Sequence, residues 1–355
     1  MAAGVLTGLG GCGTEIGITG MAESGAAMSA ASSADSEENT ITVGFAQVGE
    51  ESDWRRANSV SIKETFTSKN GCRLLFDDAQ NEPEKQITAI ANFVQQGVDY
   101  IVLEPIVETG WDTVLSDAKA AGIPVIVADR MIEVEDESLY AAWVGSDCLL
   151  EGRKVCEWLH SYAESEDIDP SELKIVNIQG TLGSTPQIDR DLALTEAAEK
   201  YGWTLLETER GEFTQAKGRE TMAQFLIDFP ELNVVYCDND NEAYGAIEAI
   251  EEAGRTCGSN IEAGEIMILS FDATSGGLRY VLDGTISCDA ECNPLHGPRI
   301  EEIIRELEAG REPERLQYVA EGLYVHDDTV ETVEVDGKSY PAHVVTEELI
   351  GNRVY

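Results

Sequence analysis

Short polar clusters sit directly behind apolar runs along this chain, and they hold the side chains able to engage a small molecule. Glu50-Glu51-Ser52-Asp53-Trp54-Arg55 comes after the run 41–47, Asp129-Arg130 follows Val125-Ile126-Val127-Ala128, and Asp238-Asn239-Asp240-Asn241 follows Val235-Tyr236-Cys237. Asp272 follows Leu269-Ser270-Phe271, Glu291 follows Cys288-Asp289-Ala290, and Gln187-Ile188-Asp189-Arg190 opens a helical pattern. Planar carboxylates, amides and guanidinia can each hold two neighbouring hydroxyls, and an indole can cover the C–H face of a ring. That is the inventory of a sugar site, where affinity requires several aimed hydrogen bonds inside a drained cleft. Each group also has a plainer reading. Asp129-Arg130 alone is a strand-end salt bridge, Trp54 a core residue at a helix start, Arg190 an exposed helix residue, and the 238–240 run an N-cap cluster.

The elements that must position these groups alternate strand and helix. The periodicity predicts strands over 41–47, 72–76, 100–103, 125–128 and 140–144, with helices over 53–69, 83–96 and 111–121 between them. Gly122 and Pro124 end the helix ahead of Val125-Ile126-Val127-Ala128, which is too short for a helix and rich in β-branched residues, the pattern of a strand buried on both faces. A second series has strands at 173–178, 203–208, 232–237, 266–271, 285–290 and near 322–325. Its helices fall at 147–162, 186–201, 215–229, 241–253, 276–282 and 298–309. Two such series predict an α/β protein of two doubly wound parallel-sheet lobes, with a cleft between them at the carboxyl ends of the strands.

The 355 residues suffice for two cores, and 43% are apolar. A net charge of −43 argues against nucleic acid or anionic lipid as partner. No apolar run is long enough to cross a bilayer. Residues 1–40 are rich in Gly, Ala, Ser and Thr and read as a leader and flexible tether. Leu9-Gly10-Gly11-Cys12 resembles a bacterial lipobox, which makes Cys12 the candidate lipidation site. No Lys or Arg precedes Arg55, so a start upstream of Met1 would supply the charged and apolar parts of an export signal. Gly8, Gly10 and Gly13 fit a dinucleotide fingerprint but lack the flanking strand and helix. Cys72, Cys148, Cys156, Cys237, Cys257, Cys288 and Cys292 form no C-x-x-C pair and the four histidines are scattered, so no metal site is expected; disulfide pairing is left open.

The residues 41–49 (Ile-Thr-Val-Gly-Phe-Ala-Gln-Val-Gly) with Glu51-Ser52 and Trp54-Arg55, then Gln96-Gly97-Val98-Asp99, Ile123-Pro124-Val125 with Asp129-Arg130, Gln179-Gly180-Thr181, Ile188-Asp189-Arg190, Gly211-Glu212-Phe213-Thr214 and Asn239-Asp240, carry a family resemblance. In this order and spacing they resemble the galactofuranose-binding subgroup of sugar-binding components of bacterial ABC transporters, within the type I periplasmic binding protein, ribose-binding-protein-like family. The resemblance runs over roughly residues 41–325. It implies lobes of residues 41–145 plus 292–320 and 146–291 plus 321–355, joined by a three-segment hinge near Ser146, Glu291 and 319–322. Glu51, Trp54, Arg55, Asp129 and Arg130 would line one side of the cleft, and Arg190, Asn239, Asp272 and Glu291 the other. It further implies a monomeric extracytoplasmic receptor with no cofactor and no catalysis, a monosaccharide ligand, and permease subunits as partners, with membrane attachment only through a lipid anchor. The acidic 238–241 segment, the cysteines bracketing Glu291 and the unmatched tail beyond His326 leave the sugar open among galactofuranose, fructose and other monosaccharides.

Two other functions fit a two-lobed core. A sugar-responsive transcription regulator requires a basic helix-turn-helix, against which stands a 54-residue N-terminal stretch with no Lys or Arg. A glycoside-processing enzyme could use Asp129 with Asp272, but neighbouring arginines would hold both acids ionised, which suits binding better than proton donation.

Overall fold

The computed structural model describes residues 40–355. The leader and Cys12 lie outside the described residues. From Thr40 to Tyr355 the chain forms one compact unit built on two sheets.

The first series runs β1 (Ile41–Gln47), α1 (Asp53–Thr65), β2 (Cys72–Asp78), α2 (Pro83–Gln96), β3 (Tyr100–Leu103), α3 (Asp112–Ala120), β4 (Val125–Ala128) and β5 (Ala142–Gly145). Local chemistry sets several of these bounds. Ser52 caps α1 by accepting the Arg55 N–H, and Pro83 supplies a first-turn residue that has no N–H to leave unpaired. Gly97, at φ 63°, closes α2 in a left-handed turn. The helix expected over 53–69 ends at Thr65, with a separate short turn at Ser68–Asn70.

The second series continues α4 (Cys148–Ser165), β6 (Lys174–Gln179), α5 (Thr185–Tyr201), β7 (Thr204–Arg210), α6 (Gln215–Asp228), β8 (Val234–Cys237), α7 (Asp240–Glu252), β9 (Met267–Asp272), α8 (Ser275–Leu282) and β10 (Cys288–Glu291). Then come α9 (Gly297–Glu308), β11 (Leu316–Tyr318), β12 (Leu323–Val325), β13 (Thr332–Val335), β14 (Lys338–Val344) and α10 (Glu347–Asn352).

The first sheet has the order β11-β5-β4-β3-β1-β2 and is parallel throughout. The second has the order β13-β14-β12-β10-β9-β8-β6-β7 and is parallel from β7 to β10. There it departs from the expected all-parallel sheet. β12 runs antiparallel to β10, and the β13–β14 hairpin adds two strands from the unmatched tail. Both sheets carry apolar cores on their two faces, as doubly wound sheets must. The chain passes between the sheets after β5, after β10 and after β11. Each sheet reverses its strand order once, between β1 and β3 and between β6 and β8, and a crevice opens at the carboxyl side of such a reversal.

Seven described cysteines are free thiols, all buried except the half-buried Cys257. Cys72, Cys156, Cys237 and Cys288 are small members of the apolar cores, with Cys257 packed against them.

Candidate sugar site

A hollow with about 290 Å³ of empty space, part of it open to solvent, lies between the carboxyl ends of the two sheets. Its walls are Glu51, Ser52, Trp54, Arg55, Asp129 and Arg130 from the first series, and Pro186, Arg190, Phe213, Asn239, Asp272 and Cys292 from beyond the first crossing. Every sequence-derived candidate among the described residues except Glu291 is therefore in the wall.

The first side is a network of fixed charges. Arg55 reaches Glu104 Oε2 with Nη1 at 2.6 Å, Asp129 Oδ2 with Nη2 at 2.6 Å, and Glu51 Oε1 with Nε at 3.4 Å. Arg130 Nη2 donates to Glu51 Oε1 at 2.9 Å, and its Nη1 to the Ile106 carbonyl at 3.2 Å. Burial works against all these charges, but Asp129, Glu51 and Glu104 more than offset it and raise the Arg55 pKa. Likewise Arg55 and Arg130 overcome the burial of Asp129 and hold its carboxyl below the usual range. Burial prevails only for Arg130, whose pKa is lowered, with Arg55 adding repulsion.

The second side is electrostatically different. Burial and then the neighbouring Asp240 push the Asp272 carboxyl well above its normal value, although Arg190 opposes this. The expectation that arginines would keep both Asp129 and Asp272 ionised holds for Asp129 and fails for Asp272, which is set among Asp240 and Asp289 on one buried face. The two acids are thus tuned in opposite directions, Asp129 towards the accepting carboxylate and Asp272 towards the donating carboxyl. Arg190 is fully buried rather than exposed; its Nε and Nη2 reach Glu151 Oε2 at 3.2 and 2.7 Å, and its Nη1 the Asp238 carbonyl at 2.5 Å. Asn239 fills the N-cap role as well as the wall. Its Oδ1 accepts from Glu242 N at 2.9 Å, while its Nδ2 donates to the Phe213 carbonyl at 3.3 Å.

Two rings complete the wall. Trp54 donates its indole N–H to the Cys292 carbonyl at 2.7 Å and packs 4.5 Å beneath the Arg55 guanidinium. Phe213 lies 5.2 Å from the Arg130 guanidinium, bringing the two sides together. Among the wall atoms, Glu51 Oε2, Arg130 Nε and Asp272 Oδ2 are buried and make no hydrogen bond within the protein. Native proteins rarely leave such groups unmet, so they are natural partners for ligand hydroxyls. Asp129 and Asp272 also sit at φ 63° and 103°, strained for a side-chain-bearing residue, and this is the kind of strain that collects at ligand sites.

Glu291 is placed elsewhere. Its carboxylate accepts from Arg353 Nη1 at 2.6 Å, the Tyr355 hydroxyl at 2.6 Å, Gly322 N at 2.9 Å and the Tyr324 hydroxyl at 3.2 Å. The tail captures this side chain, and the next residue, Cys292, lines the hollow instead. Glu104 and Phe213 were not among the candidates. Glu104 stands directly after β3, where the strand-end rule applies as it does after β4. Phe213 lies within the Gly211-Glu212-Phe213-Thr214 motif, but nothing in its type separates a ligand platform from core.

A family model described as a periplasmic binding protein domain matches residues 43–290. The chain is 36% identical over 313 residues to the galactofuranose-binding protein YtfQ of Escherichia coli K12, covering 87% of this chain and 95% of that protein. It is similar in structure to a Mycobacterium smegmatis protein in complex with β-D-fucofuranose, at 38% identity and TM-score 0.76, over 82% of this chain and 93% of the other. A further similar structure is the periplasmic binding protein component of the arabinose ABC transporter from Shewanella sp. ANA-3, bound to α- and β-L-arabinofuranose. Identity is 36% and the TM-score 0.74, with 81% of this chain and 93% of the other covered.

Proposed function

The chain belongs to the periplasmic binding protein family, and from that premise we propose that it is the extracytoplasmic sugar-binding component of an ABC importer, taking a monosaccharide in its furanose form. One observation carries the reading: a small hollow walled from both sheets by Arg55, Asp129, Asp272 and two aromatic rings, with unmet hydrogen-bonding atoms at Glu51, Arg130 and Asp272. Donors and acceptors on opposite sides suit vicinal hydroxyls, each of which both donates and accepts. The furanose preference follows from the relatives, whose sugars are galactofuranose, fucofuranose and arabinofuranose.

The lobes are residues 41–145 plus 292–320 and 146–291 plus 321–355, closing on the sugar as a hinge. A ligand that touches both sides adds contacts only in the closed form, so it shifts that equilibrium by its differential affinity. The closed monomer then presents both lobes to permease subunits, tethered through a lipidated Cys12.

Calorimetry against galactose, arabinose, fucose, fructose and ribose tests this. Binding of at least one furanose-forming sugar is expected, with a melting temperature that rises on saturation; at a hundredfold excess over Kd the gain is about 2.7 kcal/mol. Asp129→Ala and Asp272→Ala should each abolish the heat. No heat and no melting shift across the panel would end the sugar-binding reading, and hydrolysis of a furanoside by the pure protein would overturn the purely binding role.

A further inference from the structure

Three passages of chain join the two sheets, and they meet at one buried polar cluster. Ser146, on the first passage, donates its hydroxyl to Glu321 Oε1 at 2.6 Å and lies 3.3 Å from Cys292 Sγ on the second. Glu321, on the third, also accepts from Asn293 N at 2.7 Å. Ligand-type atoms of Glu321, of Glu151 on α4 and of Cys292 lie within 4.8 Å of one another. Glu151 Oε2 is held by Arg190, a wall residue of the sugar hollow, whereas the buried Glu151 Oε1 has no N–H or O–H partner.

The charged and titratable neighbours of this pair include Cys148 and Lys154 on α4, Asp189 and Arg190 on α5, Tyr236 on β8 and Cys292 on the second passage, with Asp272 beyond Arg190. Lys154 Nζ donates to the Glu321 backbone carbonyl at 3.1 Å. Arg190 thus pairs with Glu151, and among the described residues the Glu321 carboxyl forms no ion pair. A buried and a half-buried carboxylate that close repel each other, which favours a shared proton, and a proton on Glu321 would offer Glu151 Oε1 a donor.

The geometry points to Glu321 as a positioning residue: a proton shared with Glu151 fixes Arg190 in the sugar hollow when the passages are in this arrangement, so that sugar binding takes up a proton. The inference rests on the sugar-binding reading. Burial and the Glu151 charge push the Glu321 carboxyl well above its ordinary range, in agreement. When the passages rotate apart the pair is solvated and its pKa falls. The sign follows from linkage: the proton-holding arrangement is favoured at low pH and loses its advantage as pH rises through its own pKa, with uptake greatest between the two values.

The test is calorimetry of the full chain with a sugar that binds, in buffers of different ionisation heat, from about pH 5 to about pH 9. Uptake approaching about one proton per sugar is expected where uptake peaks, with affinity falling up to about tenfold per pH unit above the pKa of the open pair. Glu321→Ala, which removes the donor, should weaken binding by roughly tenfold or more. Glu321→Gln keeps a donor that does not titrate, and should restore affinity while flattening the pH profile and removing the uptake. Melting curves confirm that both variants fold. Sugar binding without proton uptake, or the same uptake in Glu321→Gln as in the unaltered chain, overturns the linkage alone. Absence of any sugar binding overturns the function and the linkage with it.

Discussion

Arg55 shows how far a single side chain can organise a site. It meets three carboxylates at once, and Glu104, the most buried, depends on it. Apart from Arg55, that side chain is met by the Asn58 amide at 2.8 Å and by His296 at 3.4 Å. Removing one member of a buried pair leaves an uncompensated charge, whereas removing both can be nearly neutral. Arg55→Met is therefore expected to lower stability by about 3–5 kcal/mol, and Arg55→Met with Glu104→Gln by clearly less than the sum of the single changes. Urea unfolding of the four proteins measures this; additive losses would show that the two groups do not depend on each other. At this scale the sequence was readable because a polar residue behind a buried strand is conspicuous, as at Asp129, Asn239 and Asp272. It was unreadable where a side chain's direction depends on a distant segment. Glu291 obeys the strand-end rule in sequence, yet Arg353 and Tyr355, more than sixty positions on, turn it away from the hollow.

The elements were legible wherever their own residues decide them. β1, α2 and β3 have the bounds their periodicity predicts, because apolar runs, a first-turn Pro83 and the left-handed Gly97 are all local signals. β11 has no such signal: Leu316-Gln317-Tyr318 is a strand because it pairs with Trp143–Gly145 of β5. The β13–β14 hairpin did carry one. Asp336-Gly337, at φ 52° and 76°, is the two-residue turn that joins Val335 to Lys338, and Asp-Gly is a favoured pair for it. Close packing between elements leaves a further mark at Gly180, just past β6. A Cβ there would lie 2.0 Å from the Phe213 ring, while Gly180 N donates to Asp238 Oδ2 at 2.9 Å. The loop after β7 can thus lay Phe213 over Arg130 only because the residue that follows β6 is a glycine. Gly180→Ala is expected to push that ring aside and reduce sugar affinity at least about tenfold, a loss equivalent to about 1.4 kcal/mol. Calorimetry beside a melting curve checks it, and unchanged affinity would show that Phe213 is not part of the binding wall.

At the scale of the whole molecule, acidity and closure can be separated by experiment. Burial raises the Asp238 carboxyl to about 7 and that of Asp189 to about 6. A group with a raised folded pKa stabilises fully below its unfolded value and loses that contribution as pH rises through the folded one; the lowered carboxyls of Asp129 and Glu291 act oppositely and fail only in acid. With a net charge of −43 adding self-repulsion, the melting temperature should be higher near about pH 5 than near about pH 8, and salt should raise it at the higher pH. A melting temperature flat or rising over that interval would contradict the assignment. The closure proposed above would rest on different groups, at the rim. Asp53 N donates to Asn241 Oδ1 at 2.9 Å on one flank. On the other, Thr185 Oγ1 donates to Glu108 Oε1 at 2.6 Å and accepts from Met131 N at 2.8 Å. Thr185 lies outside the wall of the hollow, so its contacts favour the closed form without touching sugar. Thr185→Val keeps the shape and removes both bonds, each worth about 1 kcal/mol net. The closed population should then fall, weakening sugar binding roughly three- to thirtyfold, and small-angle scattering should show a larger radius of gyration without sugar that contracts once sugar saturates. Equal affinity and an unchanged radius in Thr185→Val would mean that this rim contributes nothing to closure and that the wall residues alone hold the lobes together.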